Sequence, residues 1–377
     1  MFDQMGLSCV LAAPTGRAAK RLTEVTGADA STIHRLLEVG LDHRSGKLYF
    51  SRNADNPIKA DVIIVDEMSM VDIQLLSALV DGISNNSRLI LVGDPDQLPP
   101  VGPGFPFMDM IRSGVIPSVR LTEIFRQAQK SLIVMNAHRV NRGEMPELNN
   151  VKQDFFFLAA QYEQQVEKTI VGLCASRLPK NMGISPEQIQ VLSPTKRGSS
   201  GVANLNQVLQ ETLNPPSPDK KERIAGNCVF REGDRVMQIR NNYDIMWKKT
   251  DGSELGTGIF NGDIGTVKSI DASAELMTVA FDDREVDYEF SQLNELELAY
   301  ALTVHKSQGS EYRAVILAAW NCSPYLLNRS ILYTAITRAK ELLIIVGKRE
   351  TIAAMTENVK ISRRYSGLKL RLQRKEA

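Results

Sequence analysis

The chain has 377 residues, of which 43% are hydrophobic, 24% charged and 6% aromatic. This composition is typical of a globular protein of two or three domains and excludes a disordered or fibrous chain. With 45 basic and 44 acidic side chains the net charge is +1, so any contact with nucleic acid must come from a local basic groove.

The longest apolar runs are strand-sized, such as VIIV from Val62 and LLIIV from Leu342. A membrane-spanning helix needs about 20 apolar residues, so the sequence predicts no membrane segment, and no signal peptide opens the chain. Four cysteines lie far apart, without zinc spacing or a CxxC pair: Cys9, Cys174, Cys228 and Cys322. They predict a cytoplasmic protein in a reducing environment.

Apolar strand-like runs alternate with helical stretches in the first third of the chain. The runs that begin at Ser8, Val62 and Ser87 each end in a cluster of polar or turn residues. Continuous apolar strands between helices indicate a parallel α/β sheet. Open α/β sheets bind ligands at the carboxyl ends of their strands, so the sequence predicts a ligand site at that edge.

Two segments depart from this pattern. The residues around Ser45 and Gly46 alternate and predict a β-hairpin insertion at about 41–58. After a proline-rich linker, short runs separated by Gly, Asn and Asp predict a small β-barrel. Because the α/β pattern then returns, the barrel is inserted in a second α/β domain. The predicted domains are 1–117, then 118–227 with 297–377, and the inserted barrel at 228–296.

Asp66 and Glu67 follow the apolar run VIIV. Two adjacent acids at the end of a buried strand suit a nucleotide hydrolase, because one carboxylate can hold Mg²⁺ while the next orients or deprotonates the attacking water. The structural alternative is that Asp66 caps the following helix. Gln97, in the loop that follows the next run, could hydrogen-bond a γ-phosphate or a water. The alternative there is a rigid surface loop.

Basic side chains occur at two other kinds of position. The stretches 13–22 and 31–37 place backbone amides and basic residues at helix starts, which suits the phosphates of a nucleotide or a nucleic acid. Arg126 and Arg338 are candidate arginine fingers, since a bidentate, always charged side chain can stabilise a transferring phosphoryl group. Taken singly, such residues are more often helix caps or solvated basic faces.

Several polar segments occur in the same order along the chain as the sequence motifs of a known protein family. Eight segments resemble, in order, motifs Ia, Ib, II, III, IV, IVa, V and VI of superfamily 1 helicases. They are PTGRAAKRL, TIHRLL, VDEMSM, VGDPDQLPPVGPG, LTEIFRQ, SPTKRGSSGV, LTVHKSQGSEY and YTAITRAK. In detail they resemble the RecD-like members of the 5′→3′ branch, the family that includes the alpha subunit of exodeoxyribonuclease V. The resemblance implies two RecA-like domains around an ATP cleft, an SH3-like barrel inserted in the second domain, and a hairpin that splits the duplex.

The resemblance also implies roles for single residues. Asp66 would bind Mg²⁺, Glu67 would act as the catalytic base, Gln97 would sense the γ-phosphate of ATP, and Arg126 and Arg338 would contact it from the second domain. Seven residues would lie along the path of single-stranded DNA: Thr15, Arg17, His34, Thr195, Thr303, His305 and Ser307. Three would link the DNA and nucleotide sites: Gln308, Gly309 and Glu311. The partners implied are ATP, single-stranded DNA, duplex junctions and other subunits of a recombination complex.

One motif of the family does not occur in the chain. The P-loop G-x-x-x-x-G-K-[ST] cradles the β- and γ-phosphates, and neither Gly46-Lys47 nor Gly347-Lys348 fits it. We therefore expect the C-terminal part of a longer helicase, with a first domain truncated at its N-terminus and with negligible ATP hydrolysis by this chain alone. The alternatives are a non-catalytic single-stranded DNA-binding or protein-interaction module, and a superfamily 1 RNA helicase.

Overall fold

The computed structural model describes residues 2–42, 47–122, 130–149, 154–359, 364 and 366–374. The chain divides into two compact units. The first comprises Met1–Glu123 with Ile361–Ala377, and the second comprises Ile124–Lys360. Each unit contains a parallel sheet with helices, which confirms the predicted α/β class.

The first unit contains, in chain order, β1 (Cys9–Ala13), α1 (Gly16–Thr26), β2 (Ala30–Thr32), α2 (Ile33–Leu36), β3 (Val39–Asp42), β4 (Lys47–Phe50), β5 (Val62–Val65), α3 (Ile73–Asp81), β6 (Arg88–Leu91) and α4 (Pro106–Ser113). Strands β2, β1, β5 and β6 pair in that order, and every pair is parallel. The three predicted apolar runs are β1, β5 and β6. Strands β3 and β4 pair antiparallel, as expected for the predicted hairpin, and residues 43–46 between them lie outside the described residues.

The core of the first unit forms around β5. Its run VIIV is almost wholly buried because a strand in the middle of a parallel sheet is covered on both faces. Ile63 and Val65 pack in one cluster with Met68, Leu79 and Phe107, which come from the turn after β5, from α3 and from α4. The core therefore holds the carboxyl end of β5 in place beneath the predicted ligand edge.

The second unit begins with α5 (Leu132–Arg142), β7 (Phe155–Ala159), α6 (Glu163–Gly172), a π-helical turn (Leu173–Arg177), α7 (Leu178–Met182), β8 (Ile189–Ser193) and α8 (Val202–Leu213). An all-β stretch follows: β9 (Glu222–Ala225), β10 (Cys228–Arg231), β11 (Arg235–Gln238), β12 (Asn242–Lys249), β13 (Leu255–Ile259), β14 (Ile264–Asp271), β15 (Leu276–Phe281), β16 (Arg284–Glu289) and β17 (Leu296–Leu298). The unit ends with β18 (Ala301–Thr303), β19 (Tyr312–Ala319), α9 (Arg329–Ile336), β20 (Ala339–Gly347) and α10 (Arg349–Glu357).

The all-β stretch, 222–298, is an inserted β-domain. Seven of its strands form one antiparallel sheet in the order β13-β12-β16-β15-β14-β11-β17, and β9 pairs with β10. In β15 the buried residues alternate with partly exposed ones, as expected for a strand with one face on a core. The strands on either side of the insertion belong to one parallel sheet, in the order β18-β8-β19-β20-β7. The β-domain is therefore inserted between β8 and β18, as predicted.

A buried carboxylate joins the β-domain to the α/β part of the second unit. Asp234 accepts hydrogen bonds at Oδ1 from Asn214 Nδ2 (2.7 Å) and the Tyr300 hydroxyl (2.9 Å). Its Oδ2 accepts from Gln210 Nε2 (2.5 Å) and the Arg231 N–H (2.7 Å). Burial raises the pKa of Asp234, and these donors oppose the rise. One side chain thus ties α8, β10 and the segment before β18 together.

The last helix among the described residues, α11 (Leu368–Arg374), packs on α4 of the first unit. The sequence predicts 297–377 as part of the second domain, whereas the structure groups 361–377 with the first unit. The physical reason is apolar burial, because Leu368 and Leu372 pack against the first unit's core. Among the described residues, no helix is both long and apolar enough to cross a membrane.

Candidate nucleotide and DNA site

Polar segments follow β1, β5 and β6 where these strands end. Strand β5 lies between the other two, and all run in the same direction. Two backbone hydrogen bonds extend the pairing past the strand ends, from Asp66 N–H to Ala12 O (2.9 Å) and from Val92 N–H to Val65 O (2.8 Å). Carboxyl ends of adjacent parallel strands share one edge, so the segments that carry Thr15, Asp66 and the loop after Val92 meet there.

Asp66 and Glu67 form a tight, strained turn. The carboxylate of Asp66 accepts a hydrogen bond at Oδ1 from the Glu67 N–H (2.7 Å). Glu67 has φ 54° and ψ 39°, in the left-handed region, and it begins a short 3₁₀ turn over Met68–Met70. For a non-glycine residue this conformation costs about 1 kcal/mol. Strain of this kind concentrates at functional sites, which supports the predicted role of this turn.

The donors at this edge fit Mg²⁺. Among the described residues, no group of three or more His, Cys, Asp and Glu side chains could hold a metal by itself. Mg²⁺ does not need such a cage, because it keeps several waters and binds through one or two carboxylates together with phosphates of the substrate. Asp66 is half-buried, and its Oδ2 accepts no hydrogen bond from the part of the chain that the structure describes. Asp66 could therefore supply the one carboxylate required.

The loop after β6 holds Gln97 against Asp94. Gln97 is only 7% exposed, and its Nε2 donates to Asp94 Oδ2 (3.3 Å). The Asp96 N–H donates to Asp94 Oδ1 (3.0 Å), so Asp94 closes a turn in front of Gln97. Asp96 also pairs with Arg120 (3.1 Å). The sequence analysis did not single out Asp94, although an aspartate side chain often accepts a hydrogen bond from the backbone two residues further on.

Three predicted DNA contacts lie in the first unit. Thr15 caps α1, because its Oγ1 accepts from the Ala18 N–H (3.2 Å). Arg17 is half-exposed in the first turn of α1. His34 lies on α2, with its ring 6.0 Å from the ring of Phe50 in β4. Thr15 and Arg17 thus place a capped helix start and a cation at the sheet edge, an arrangement that suits a phosphate.

The environment of His34 favours its neutral form. Burial lowers the pKa of His34, and the nearby charge of Asp72 only partly opposes this. A buried imidazole resists protonation because the charged form loses hydration. Burial therefore opposes a positive charge on His34 in the free chain.

Four predicted DNA contacts lie where β8 and β18 end in the second unit. These strands are adjacent and parallel, and the Val304 N–H donates to Ser193 O (3.2 Å) just past their ends. The contacts are Thr195, Thr303, His305 and Ser307. Thr303 is 7% exposed, and its Oγ1 accepts from the Lys306 N–H (3.3 Å). Ser307 is fully buried and donates to Val304 O (2.8 Å), so it shapes the turn.

Arg338 lies against the turn that carries Gln308, Gly309 and Glu311. The guanidinium donates from Nη1 to Ser310 O (3.1 Å) and from Nε to Thr334 O (3.3 Å). Arg338 is only 3% exposed. Gly309 has φ 68°, a conformation that suits glycine. The structure thus joins Arg338 to the predicted linking turn inside the second unit. The other predicted arginine finger, Arg126, lies outside the described residues.

Three protein families match successive parts of the chain. Residues 1–103 match the family described as AAA domain. Residues 205–281 match the ATP-dependent RecD-like DNA helicase SH3 domain, which covers most of the inserted β-domain. Residues 298–346 match the UvrD-like helicase C-terminal domain, which begins where the parallel sheet of the second unit resumes.

Curated relatives align with most of the chain. It is 35% identical to the ATP-dependent RecD2 DNA helicase of Deinococcus radiodurans over 347 residues, which are 92% of this chain and 44% of the relative. It is 29% identical to the RecBCD enzyme subunit RecD of Mycolicibacterium smegmatis over 96% of this chain and 66% of that protein. The chain thus spans about half to two thirds of the length of these relatives.

Solved structures share the fold. A Pif1 helicase from Bacteroides, in complex with ADP-AlF3 and single-stranded DNA, superposes with a TM-score of 0.51 at 18% identity, over 92% of this chain and 84% of that one. The Pif1 helicase from Candida albicans gives 0.51 at 19% identity, over 93% and 86%. At this level of identity the likeness concerns the fold, and it agrees with the predicted pair of RecA-like domains.

Proposed function

Because the chain belongs to the RecD-like helicases, we propose that it is part of an ATP-dependent DNA helicase that moves 5′→3′ along single-stranded DNA in recombination or repair. The observation that carries the proposal is the shared edge of β1, β5 and β6. It supports joint action of the phosphate-binding start of α1, the acids Asp66 and Glu67, and the Gln97 loop. The relatives and the SH3 family are DNA helicases by name, which favours DNA over RNA.

Hydrolysis would use the turn after β5. Glu67 would take a proton from the attacking water, and Gln97, oriented by Asp94, would hydrogen-bond that water or the γ-phosphate. Asp66 would hold Mg²⁺, which neutralises charge on the β- and γ-phosphates when bound. The strained backbone of Glu67 supports this assignment, since it holds the carboxylate in a conformation that a relaxed turn would not adopt.

DNA binding would use the helix start of α1 and the turn after β18. Thr15, Arg17 and His34 would contact the strand from the first unit. Thr195, Thr303 and His305 would contact it from the second. Such contacts hold the backbone without reading sequence. Ser307, which is fully buried, would support the shape of this turn. The hairpin β3–β4 would separate the strands at a duplex junction.

Gln308, Gly309 and Glu311 would couple the DNA site to the nucleotide site through Arg338. The guanidinium of Arg338 binds Ser310 O, directly beside Gly309. To contact a γ-phosphate, Arg338 would have to exchange this carbonyl and that of Thr334 for phosphate oxygens. Arginine suits such an exchange, because its planar fork can bind a phosphate through two donors. Arg126 would be the second arginine at the phosphate.

We propose that the 377-residue chain by itself does not hydrolyse ATP. No G-x-x-x-x-G-K-[ST] sequence occurs in it, and this motif supplies most of the phosphate-binding donors in P-loop enzymes. The same observation favours a second candidate function for the chain alone, a non-catalytic module that binds single-stranded DNA. The relatives named as RecBCD subunits support partner subunits and a cytoplasmic site of action.

Two assays test the proposal. The purified chain should bind single-stranded DNA and show no ATP hydrolysis above a blank when that DNA is added. A polypeptide in which a P-loop strand and helix are joined ahead of residue 1 should hydrolyse ATP and unwind a duplex with a 5′ tail. Unwinding only from a 3′ tail would contradict the direction. Full ATP hydrolysis by the Glu67→Gln variant of that polypeptide would contradict the role of Glu67.

A further inference from the structure

The last described residues form a strap on the first unit. The strap comprises residue 364 and residues 366–374, which include α11. Leu368 and Leu372, one helical turn apart, pack against the core of the first unit. Leu370, on the opposite side of the helix, is 60% exposed. The strap is therefore an amphipathic segment that buries one apolar face against the core.

Polar contacts fix the strap along α4. The Ser366 hydroxyl donates to a carboxylate oxygen of Asp109, in the first turn of α4. The same hydroxyl accepts from the Leu368 N–H (3.2 Å), so Ser366 stabilises the start of α11. Gln373 Nε2 donates to Ser113 O (3.1 Å) at the end of α4. These contacts near both ends of α4 fix the position of the strap along that helix.

The strap also holds the proline-rich loop, Asp94–Gly104. Arg364 donates from Nη1 to Gly102 O. Gly102 also lies against the carboxylate of Asp72, which a Cβ on Gly102 would overlap. The Ile73 N–H donates to Pro103 O (3.0 Å). The distal end of the loop is thus clamped between the start of α3 and the strap.

Gly104 shows the same clamp. It has φ 79°, and a Cβ there would lie 3.2 Å from Ser366 Cβ and 3.3 Å from Ile73 Cβ. The strap and α3 therefore both lie close to this glycine. Between the clamp and Gln97 the chain contains Pro99 and Pro100, whose fixed φ angles make the connection stiff. A displacement at Gly102 would reach Gln97 instead of being absorbed by a flexible linker.

We infer that the strap is a positioning element for Gln97: Arg364, Ser366 and the apolar face of α11 hold the proline-rich loop so that Gln97 stays against Asp94. The importance of Gln97 rests on the proposed function, whereas the mechanical link does not. Arg364 and Ser366 are thus positioning residues that act through the loop. Arg371 and Arg374, in the last turn of α11, are exposed.

Hydrogen–deuterium exchange of the 377-residue chain tests the inference. The amides of Asp96 and Gln97 report on the loop, because each donates to Asp94. Leu372→Asp should release the strap and raise exchange of these amides about tenfold. Amides of β5 and of the inserted β-domain should be unchanged. Leu370→Asp is the matched control, with the same charge on the exposed face, and it should exchange like the wild type.

Two outcomes would overturn the inference. One is a released strap in Leu372→Asp with unchanged exchange at Asp96 and Gln97. The other is an equal effect of Leu370→Asp. If Leu372→Asp does not fold, Arg364→Ala decides. It should raise loop exchange by about threefold without changing the unfolding midpoint, and Arg364→Lys, which keeps a donor for Gly102 O, should restore it. No change in Arg364→Ala would refute the link, whatever the ATP assays show for Gln97.

Discussion

The side-chain amide of Gln97 donates to the carboxylate of Asp94 across 3.3 Å, and Gln97 is almost completely buried. Asp94 is also the acceptor for the Asp96 N–H. One carboxylate therefore sets both the backbone turn and the direction of the Gln97 amide. A contact between Gln97 and a nucleotide would therefore depend on Asp94, even if Asp94 does not touch the nucleotide itself.

Replacing Asp94 tests this dependence. Asp94→Ala removes the carboxylate to which the Asp96 N–H and the Gln97 amide donate, so the free energy of unfolding should fall by about 1–2 kcal/mol in urea titrations. Asp96→Ala is the matched control. Its ion pair with the 72%-exposed side chain of Arg120 is worth at most about 1 kcal/mol. A larger loss in Asp96→Ala than in Asp94→Ala would contradict the account.

The left-handed backbone of Glu67 predicts that glycine is more stabilising than alanine at this position. Because Glu67 has φ 54°, Glu67→Gly should be more stable than Glu67→Ala by about 1 kcal/mol. Glu275, also at φ 54°, should show the same order. Glu167, inside α6, should show the reverse, since glycine costs about 1 kcal/mol relative to alanine in a helix. Denaturant unfolding of the six variants measures these differences, and an alanine variant more stable than glycine at position 67 would refute the strain.

His34 gives a pH-dependent prediction. Burial lowers its pKa below the ordinary value of 6.5, so between the two pKa values the unfolded chain binds more protons than the folded chain. Stability contributed by His34 is therefore present above pH 6.5 and is lost as the pH falls through its folded pKa. The difference in unfolding free energy between wild type and His34→Gln should shrink from pH 7 to pH 5. An increase over that range would contradict the predicted direction.

Asp234 should be the most sensitive carboxylate of the second unit. Asp234→Ala removes an acceptor that is shared by donors on Gln210, Asn214, Arg231 and Tyr300, the first three of these hydrogen bonds being buried. We expect the unfolding free energy to fall by about 3 kcal/mol or more. Asp287→Ala, which removes an exposed carboxylate bonded to Thr278 (2.6 Å), should cost less than about 1 kcal/mol. Equal losses in thermal or urea unfolding would show that Asp234 is not a structural hub.

The sequence predicts those parts of the fold that rest on local patterns. The continuous apolar run of β5 identifies a buried parallel strand, and alternation in β15 identifies a sheet with one face on a core. The ordered motifs identify the family. The strap shows the limit, because the spacing of Leu368, Leu370 and Leu372 gives no sign that this helix packs on the first unit.

The candidate site divides in the same way. Asp66, Glu67 and Gln97 are recognisable from the strands they follow. The left-handed backbone of Glu67 was not predictable, because glutamate has no local preference for it. The burial of Arg338 against Ser310 depends on contacts between residues 28 apart. Asp94 could have been found from its position before Gln97. The roles assigned to these residues stay predictions.

The most direct test of the central claim is binding of labelled single-stranded DNA to the purified chain across a salt series, with and without Mg²⁺-ATP. The account predicts affinity that falls steeply with salt and does not change with ATP. Arg17→Ala should reduce the salt slope by about 1, whereas His34→Gln, which removes an uncharged group, should leave it unchanged. Binding that changes with ATP would show a working nucleotide site without a P-loop, and binding that ignores salt would contradict a DNA path along the phosphate backbone.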